Sequence, residues 1–257
     1  YQIRRKRELD IKYEDKGIDE KDRNYASVNR ELACLKHIYY MAIEWEYVNR
    51  NPVASKLIKF DKEKVRKRTL SDDEYHALLN DTSGHLNIII KIALNTGMRL
   101  GEILKLSWAD VDLDAMKIII KHTKNDEDRE IPINDFLFDE LEKMSSRDGY
   151  LFTNRNGKPM KSIKTTWNTA KRKLDIVDLR FHDLRHCAAT RMAKAKVTES
   201  VIALILGHKR GSMTSRYINP HWDEMEEAVD ALGKLSRGFV TQGNICLLYT
   251  SDAADES

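Results

Sequence analysis

Cysteine is scarce in this sequence. Its 257 residues include three, Cys34, Cys187 and Cys246. None forms a CxxC pair or stands at a metal-ligand spacing from a histidine, which argues against a zinc site. An odd, scattered count fits a reducing compartment better than a disulfide framework. Long apolar runs are also missing: no stretch of about 18 apolar residues is present, as a spanning helix would need. No secretory signal pattern opens the chain. It starts at Tyr1 rather than Met, as a fragment or a processed product would. There is no GxxxxGK[ST] loop for nucleotide phosphates and no carboxylate cluster of the kind that holds catalytic metal ions. Charge of one sign does not dominate either, since 44 Lys and Arg face 41 Asp and Glu for a net +3.

What is present is a high charged fraction, 33%, beside an apolar fraction of 41%. That balance suits a water-exposed protein with room for one or two cores. The positive charge is clustered in Arg4-Arg5-Lys6-Arg7, in Lys62-Glu-Lys-Val-Arg-Lys-Arg68 and in Lys171-Arg172-Lys173. Such runs are commonly solvated faces, and some contact phosphate. The last segment, Cys246-Leu-Leu-Tyr-Thr-Ser-Asp-Ala-Ala-Asp-Glu256, reads like a translated sequencing adaptor. It is set outside the fold, together with Tyr249.

Hydrophobic periodicity predicts a mainly α protein with a small β-sheet, an α+β fold. Residues 1–25 are almost wholly polar and read as a frayed end or as a helix lacking partners. A helix over about 28–47, capped by Ser27, carries Leu32, Leu35, Ile38, Tyr39, Ala42 and Trp45 at three- and four-residue steps. Asn51-Pro52 ends it. A small helical domain over 1–60 and a basic linker over 61–69 thus precede a larger domain over 70–236, with 237–257 as a tail. The larger domain opens on Ser71 and Glu74 at capping-box spacing. Next come an apolar helix over 85–95, a break at Gly97 and a helix from Arg99 to Leu106. A hairpin of 116–122 and 129–133 has Pro132 at its edge. Helical patterns follow at 134–144, 162–174, 183–194, 198–205 and 222–235.

Five short segments of the larger domain could carry chemistry: Thr96-Gly-Met-Arg-Leu-Gly-Glu102, His122-Thr-Lys-Asn125, His182-Asp-Leu-Arg-His186, Leu206-Gly-His208 and Thr214-Ser-Arg-Tyr-Ile218. Taken singly each has an ordinary reading: a surface arginine, a solvated lysine, a shared helix face, a helix stop, a half-buried tyrosine. Their order and spacing together resemble the tyrosine recombinase family, the phage integrases and their relatives. The resemblance covers about residues 69–235. It extends to the preceding helix and Asn51-Pro52, which look like the family's core-binding domain, here expected to be N-terminally truncated.

The resemblance implies roles residue by residue. Arg99 and Arg185 match the two catalytic arginines, Lys124 the catalytic lysine, His182 the first histidine and His208 the second. Tyr217 matches the nucleophile, and Glu102 reads either as a carboxylate that orients a basic neighbour or as a plain helix-face charge. Lys196 departs from the glycine that relatives often carry in an interhelical turn. The implied activity is that of a site-specific DNA recombinase, cleaving and rejoining double-stranded DNA through a 3′-phosphotyrosyl intermediate without metal, ATP or other cofactor. The implied assembly is a homotetramer on paired sites, with accessory DNA-bending proteins as further partners, in the cytoplasm and not at a membrane. The helix after Tyr217, about 222–232, is expected to dock on a neighbouring protomer. Three alternatives stay open: a topoisomerase-like enzyme that nicks and reseals one duplex, a recombinase-fold protein that only binds DNA, and a truncated inactive integrase.

The residue types suit the reaction. A phosphodiester repels nucleophiles, so charge building on its oxygens must be neutralised. Two arginines can do this, each planar, permanently charged and able to grip two oxygens. A tyrosine hydroxyl, with a pKa near 10, needs a base or a strongly positive site, and histidine titrates in the useful range.

Overall fold

The computed structural model describes residues 1–20, 23–54, 58–63, 66, 68–121, 128–144, 147–154, 156–208 and 221–241. The chain divides into two compact units, Tyr1–Arg66 and Lys67–Ser257.

In the first unit, helix α1 (Gln2–Glu14) packs on α2 (Ala26–Glu44). The polar N-terminal stretch is therefore largely helical. Its basic run is partly neutralised, because Arg5 pairs with Glu31 at 2.7 Å and Lys6 with Asp61 at 2.6 Å. The core is small: Val28, Leu32 and Val53 are buried, with Leu9, Tyr25, Leu35, Tyr39 and Ile58 packed around them. Helix α2 starts one residue before Ser27, and Ser27 is not its cap. The Ala26 amide donates instead to the Asn24 side chain at 2.9 Å. Asn51 explains the Asn-Pro stop. Its amide nitrogen donates to the Lys36 carbonyl at 2.9 Å and its oxygen accepts from the Val53 amide at 2.9 Å, which folds the chain back onto α2.

The second unit begins with α3 (Asp72–Asn80), whose capping box is formed by Ser71 and Glu74 as expected. Next come α4 (Gly84–Thr96) and the single turn α5 (Leu100–Ile103). An antiparallel sheet in the order β1-β2-β3 follows, made of β1 (Val111–Asp112), β2 (Lys117–Ile120) and β3 (Arg129–Pro132). Ile118 faces Ile131 across the hairpin and both are fully buried. Pro132 lies on the edge strand, where its missing N–H breaks no ladder. At two residues, β1 is too short to show a period in the sequence. The remaining helices are α6 (Asp135–Glu142), α7 (Lys164–Lys173), α8 (Phe181–Lys194), α9 (Glu199–Leu206) and α10 (Trp222–Thr241). Among the described residues no helix is long and apolar enough to cross a membrane.

The apolar α4 runs through the centre of this unit, with Ile89, Ile90, Ile92 and Leu94 fully buried against α3, α6, α8 and α10. Helix α10 packs on its own unit, burying Met225, Ala228, Val229 and Leu232. The apolar stripe of α10 lies against α3, α4, α6 and α8 of the same unit. A buried polar network keys the helix in place. Asn134 caps α6, donates to the Val229 carbonyl at 2.7 Å and to Asn95 at 3.0 Å, while Ser236 meets Asn95 at 3.3 Å and the Tyr75 hydroxyl at 2.9 Å. Gly233 permits this approach: a Cβ there would lie 2.6 Å from the Asn134 side chain. Residues 237–241 continue the helix rather than opening a tail. Phe239 packs on Tyr75 with ring centroids 5.0 Å apart, and the Arg191 guanidinium covers Tyr75 at 4.2 Å.

Lys196 closes α8 in a left-handed conformation, φ +64°. The Val197 amide returns to Met192 and the Lys196 amide to Ala193, a Schellman motif with lysine where glycine is preferred. Lys196→Gly relieves about 1–2 kcal/mol of strain, offset by about 0.4–1 kcal/mol from a freer unfolded chain. A small rise in the urea midpoint is expected; a fall would mean that the lysine side chain stabilises the turn.

Candidate active site

Two helix ends build the site. Helix α4 stops at Gly97, where the buried Thr96 hydroxyl accepts from the Met98 amide at 3.2 Å and shapes the turn into α5. Arg99 follows as the N-cap of α5. An arginine cannot accept a hydrogen bond, so only the reciprocal half of a capping box exists, with the Arg99 amide donating to Glu102 Oε2 at 2.9 Å. Helix α9 ends in a Schellman motif, in which the His208 amide returns to Ala203 and the Gly207 amide to Leu204. Gly207 has φ +65°, and a Cβ there would lie 2.7 Å from Arg129 Nη1. Both facts require glycine, and they place His208 directly beyond the helix end.

The two arginines converge on these ends. Arg185, from α8, is 4% exposed; it donates to the Gly97 carbonyl at 2.8 Å and to the Leu206 carbonyl at 2.5 Å. Those carbonyls lie at helix C-termini, where a cation is favoured. Burial, then the charge of Arg99, lowers the Arg185 guanidinium to about 10, so it still carries its proton at neutral pH. Arg99 donates to Glu102 Oε1 at 2.9 Å and to the Gly207 carbonyl at 3.4 Å, and 39% of its side chain remains open to solvent. One guanidinium is thus a buried brace and the other faces outward.

His182 stands one turn before Arg185 on α8, with the His186 ring 5.3 Å from its own. Partial burial first, then the charges of His186, Arg185 and Arg99, push His182 below the ordinary histidine value. Partial burial and the charges of Arg185 and Arg99 do the same to His208. Both rings therefore favour the neutral form, able to accept a proton. For Glu102, burial opposes ionisation, but hydrogen bonds from Arg129 and from the Arg99 amide outweigh it and hold the carboxyl below its usual range. Among the described residues no group of three His, Cys, Asp or Glu is gathered as a metal ion would need.

Residues 68–223 match the Phage integrase family. The chain belongs to that family. Among its relatives, the shufflon-specific DNA recombinase of Escherichia coli is 32% identical over 213 residues, covering 80% of this chain and 54% of that one. The tyrosine recombinase XerA of Pyrococcus horikoshii is 30% identical over 172 residues, covering 63% of this chain and 60% of that one. The chain spans about half the length of the shufflon recombinase. Among solved structures, the Tn1549 transposon integrase in complex with circular intermediate DNA superposes with a TM-score of 0.61 at 22% identity, over 84% of this chain and 81% of that one. At that identity the likeness concerns the fold alone.

The fold brings together Arg99, Glu102, His182, Arg185 and His208, which lie up to 109 positions apart in the sequence. Lys124 and Tyr217 lie outside the described residues. Sequence reasoning passed over Arg129 and His186. His186 stands inside the quoted His182-Asp-Leu-Arg-His186 segment, and the i,i+4 spacing on one helix was the available signal. Arg129 gave no such signal, being an isolated arginine at the start of a strand.

Proposed function

We propose that this chain is a tyrosine-type site-specific DNA recombinase whose nucleophile is Tyr217. The observation that supports it best is the pair of guanidinium groups, Arg99 and Arg185, held at two helix ends beside two histidines that favour the neutral form. In this reading the arginines neutralise charge as it develops on the phosphoryl oxygens. His182 takes the Tyr217 proton as the phenolic oxygen attacks phosphorus, and His208 donates a hydrogen bond to a phosphate oxygen. Lys124 protonates the departing 5′-oxygen. The P–O5′ bond breaks as the P–O bond to tyrosine forms, leaving a 3′-phosphotyrosyl link and a free 5′-hydroxyl. Bond energy is kept in that link, so a 5′-hydroxyl from another strand reverses the step without ATP, and the charged side chains do the work a metal ion would otherwise do.

The same reading takes double-stranded DNA as the partner, four copies of the chain on two paired sites as the working assembly, and residues 1–60 as a core-binding domain. The test begins with a randomised pool of nicked duplexes, from which the wild type captures its own site as a covalent complex. Two copies of that site are then placed on one supercoiled plasmid. Recombinant circles are expected. Relaxed plasmid without recombinants would favour a nick-and-reseal enzyme instead.

A further inference from the structure

Arg129 lies outside the matched set, yet it occupies the place where the parts of the site meet. It opens β3, and its side chain is 8% exposed. Both of its terminal nitrogens donate to Glu102, at 3.2 Å to Oε1 and 2.8 Å to Oε2. The same carboxylate accepts from the Arg99 amide and from Arg99 Nη1, each at 2.9 Å. One carboxylate therefore sits between a buried arginine and an outward-facing one. The flat of the Arg129 guanidinium lies against Gly207, where a Cβ would meet Nη1, Cζ and Nε within 3.0 Å. Among the described residues, Arg129 Nε is buried with no hydrogen-bond partner.

A buried ion pair with an unsatisfied N–H is a weak device for stability, because apolar side chains of similar size serve that purpose as well or better. It is a good device for fixing geometry, since the two parallel bonds to Glu102 allow one orientation. We infer that Arg129 is a positioning residue for DNA cleavage: it anchors Glu102, which holds the Arg99 guanidinium, and it sets the α9 end carrying His208 against that carboxylate. The inference rests on the reading of Arg99 as the group that grips the scissile phosphate. Arg129 acts through Glu102, which takes both of its terminal nitrogens, and not by contact with DNA.

The experiment measures single-turnover covalent capture of the duplex selected by the wild type, over a range of DNA concentration and pH. Arg129→Gln is expected to leave DNA affinity near that of the wild type and to slow capture by about 100-fold, as a misplaced catalytic group does. A second expected sign is the acid limb. Glu102 is faced by Arg99, Arg129 and Arg185, and Arg129 is the leading group that holds its carboxyl down. Without Arg129 the carboxyl takes a proton at higher pH, so capture is lost earlier as pH falls. A merely structural role would not move that limb. Arg129→Lys, keeping charge but not the two-pronged grip, is expected to recover part of the rate.

Glu102→Gln tests the same link without disturbing Arg129's shape, which covers the case of an unfolded Arg129 variant. Since the two residues act as one unit, the double variant is expected to be no slower than the worse single one. Capture by folded Arg129→Gln within about twofold of the wild-type rate, a negligible difference by the usual reading of mutant kinetics, overturns the inference. Single effects that multiply in the double variant overturn it too. If Tyr217→Phe still captures DNA, the reading of the whole site fails and this inference falls with it. If Tyr217→Phe captures none while Arg129→Gln matches the wild type, the inference alone fails.

Discussion

Arg185→Gln is expected to slow covalent capture of DNA by about 10²–10³, the loss of about 3–4 kcal/mol typical of a deleted transition-state donor. The same substitution is expected to change stability little. Arg185 holds the carbonyls of Gly97 and Leu206, and stranding such groups costs about 1–3 kcal/mol each. Against this, burial and the facing charge of Arg99 bring the guanidinium well below its ordinary value, to about 10. A cation with a depressed value is disfavoured in the fold at every pH below that value, by about 3 kcal/mol for this depression. The two effects oppose one another, so urea midpoints of variant and wild type should lie close together while the rates diverge. Arg185→Lys keeps the charge but offers one ammonium where two carbonyls wait, and most of the rate loss should remain. A large fall in stability with a rate near that of wild type would make Arg185 a structural brace and nothing more.

Val229→Asp is expected to unfold much of the protein. Val229 is fully buried on α10, and its carbonyl accepts from Asn134. The substitution forfeits about 1.5–3 kcal/mol of apolar burial and adds about 1–3 kcal/mol for a carboxyl left without partners. Together these approach the whole stability of a domain, about 5–15 kcal/mol. Glu227, exposed on the opposite face, is the control, and Glu227→Ala should stay within about 0.5 kcal/mol of wild type. Dilute protein followed by circular dichroism and size exclusion gives the readout. A Val229→Asp chain that stays folded as a monomer would show that α10 is not seated on its own unit in solution.

Much of the site was legible because the chemistry recurs in short words. Thr96-Gly-Met-Arg99 is a helix stop, a buried hydroxyl that shapes the turn, and an arginine at the next helix start. Leu206-Gly-His208 is a Schellman ending that aims a histidine. Such local devices are written in consecutive residues, so a sequence displays them. Arg129 could not be found that way. Its meaning depends on Glu102, 27 positions earlier, and on Gly207, 78 positions later, and only the folded chain brings the three together. Helix α10 illustrates the same limit. Its apolar stripe was plain from spacing, but a stripe does not say which surface covers it. That is decided by Asn134, Asn95 and Tyr75, which lie far away in the chain. The start of α2 has a local reason, since the Asn24 side chain accepts from the Ala26 amide ahead of Ser27.

In the proposed reaction Tyr217 becomes bonded to DNA, which is tested most directly by digesting the trapped complex and locating the nucleotide adduct by mass spectrometry. Wild-type protein incubated with its captured nicked duplex should yield one peptide carrying a 3′-phosphate-linked nucleotide on Tyr217, and Tyr217→Phe should bind the same duplex yet yield none. An adduct on any other residue, or one that persists in Tyr217→Phe, would contradict the claim.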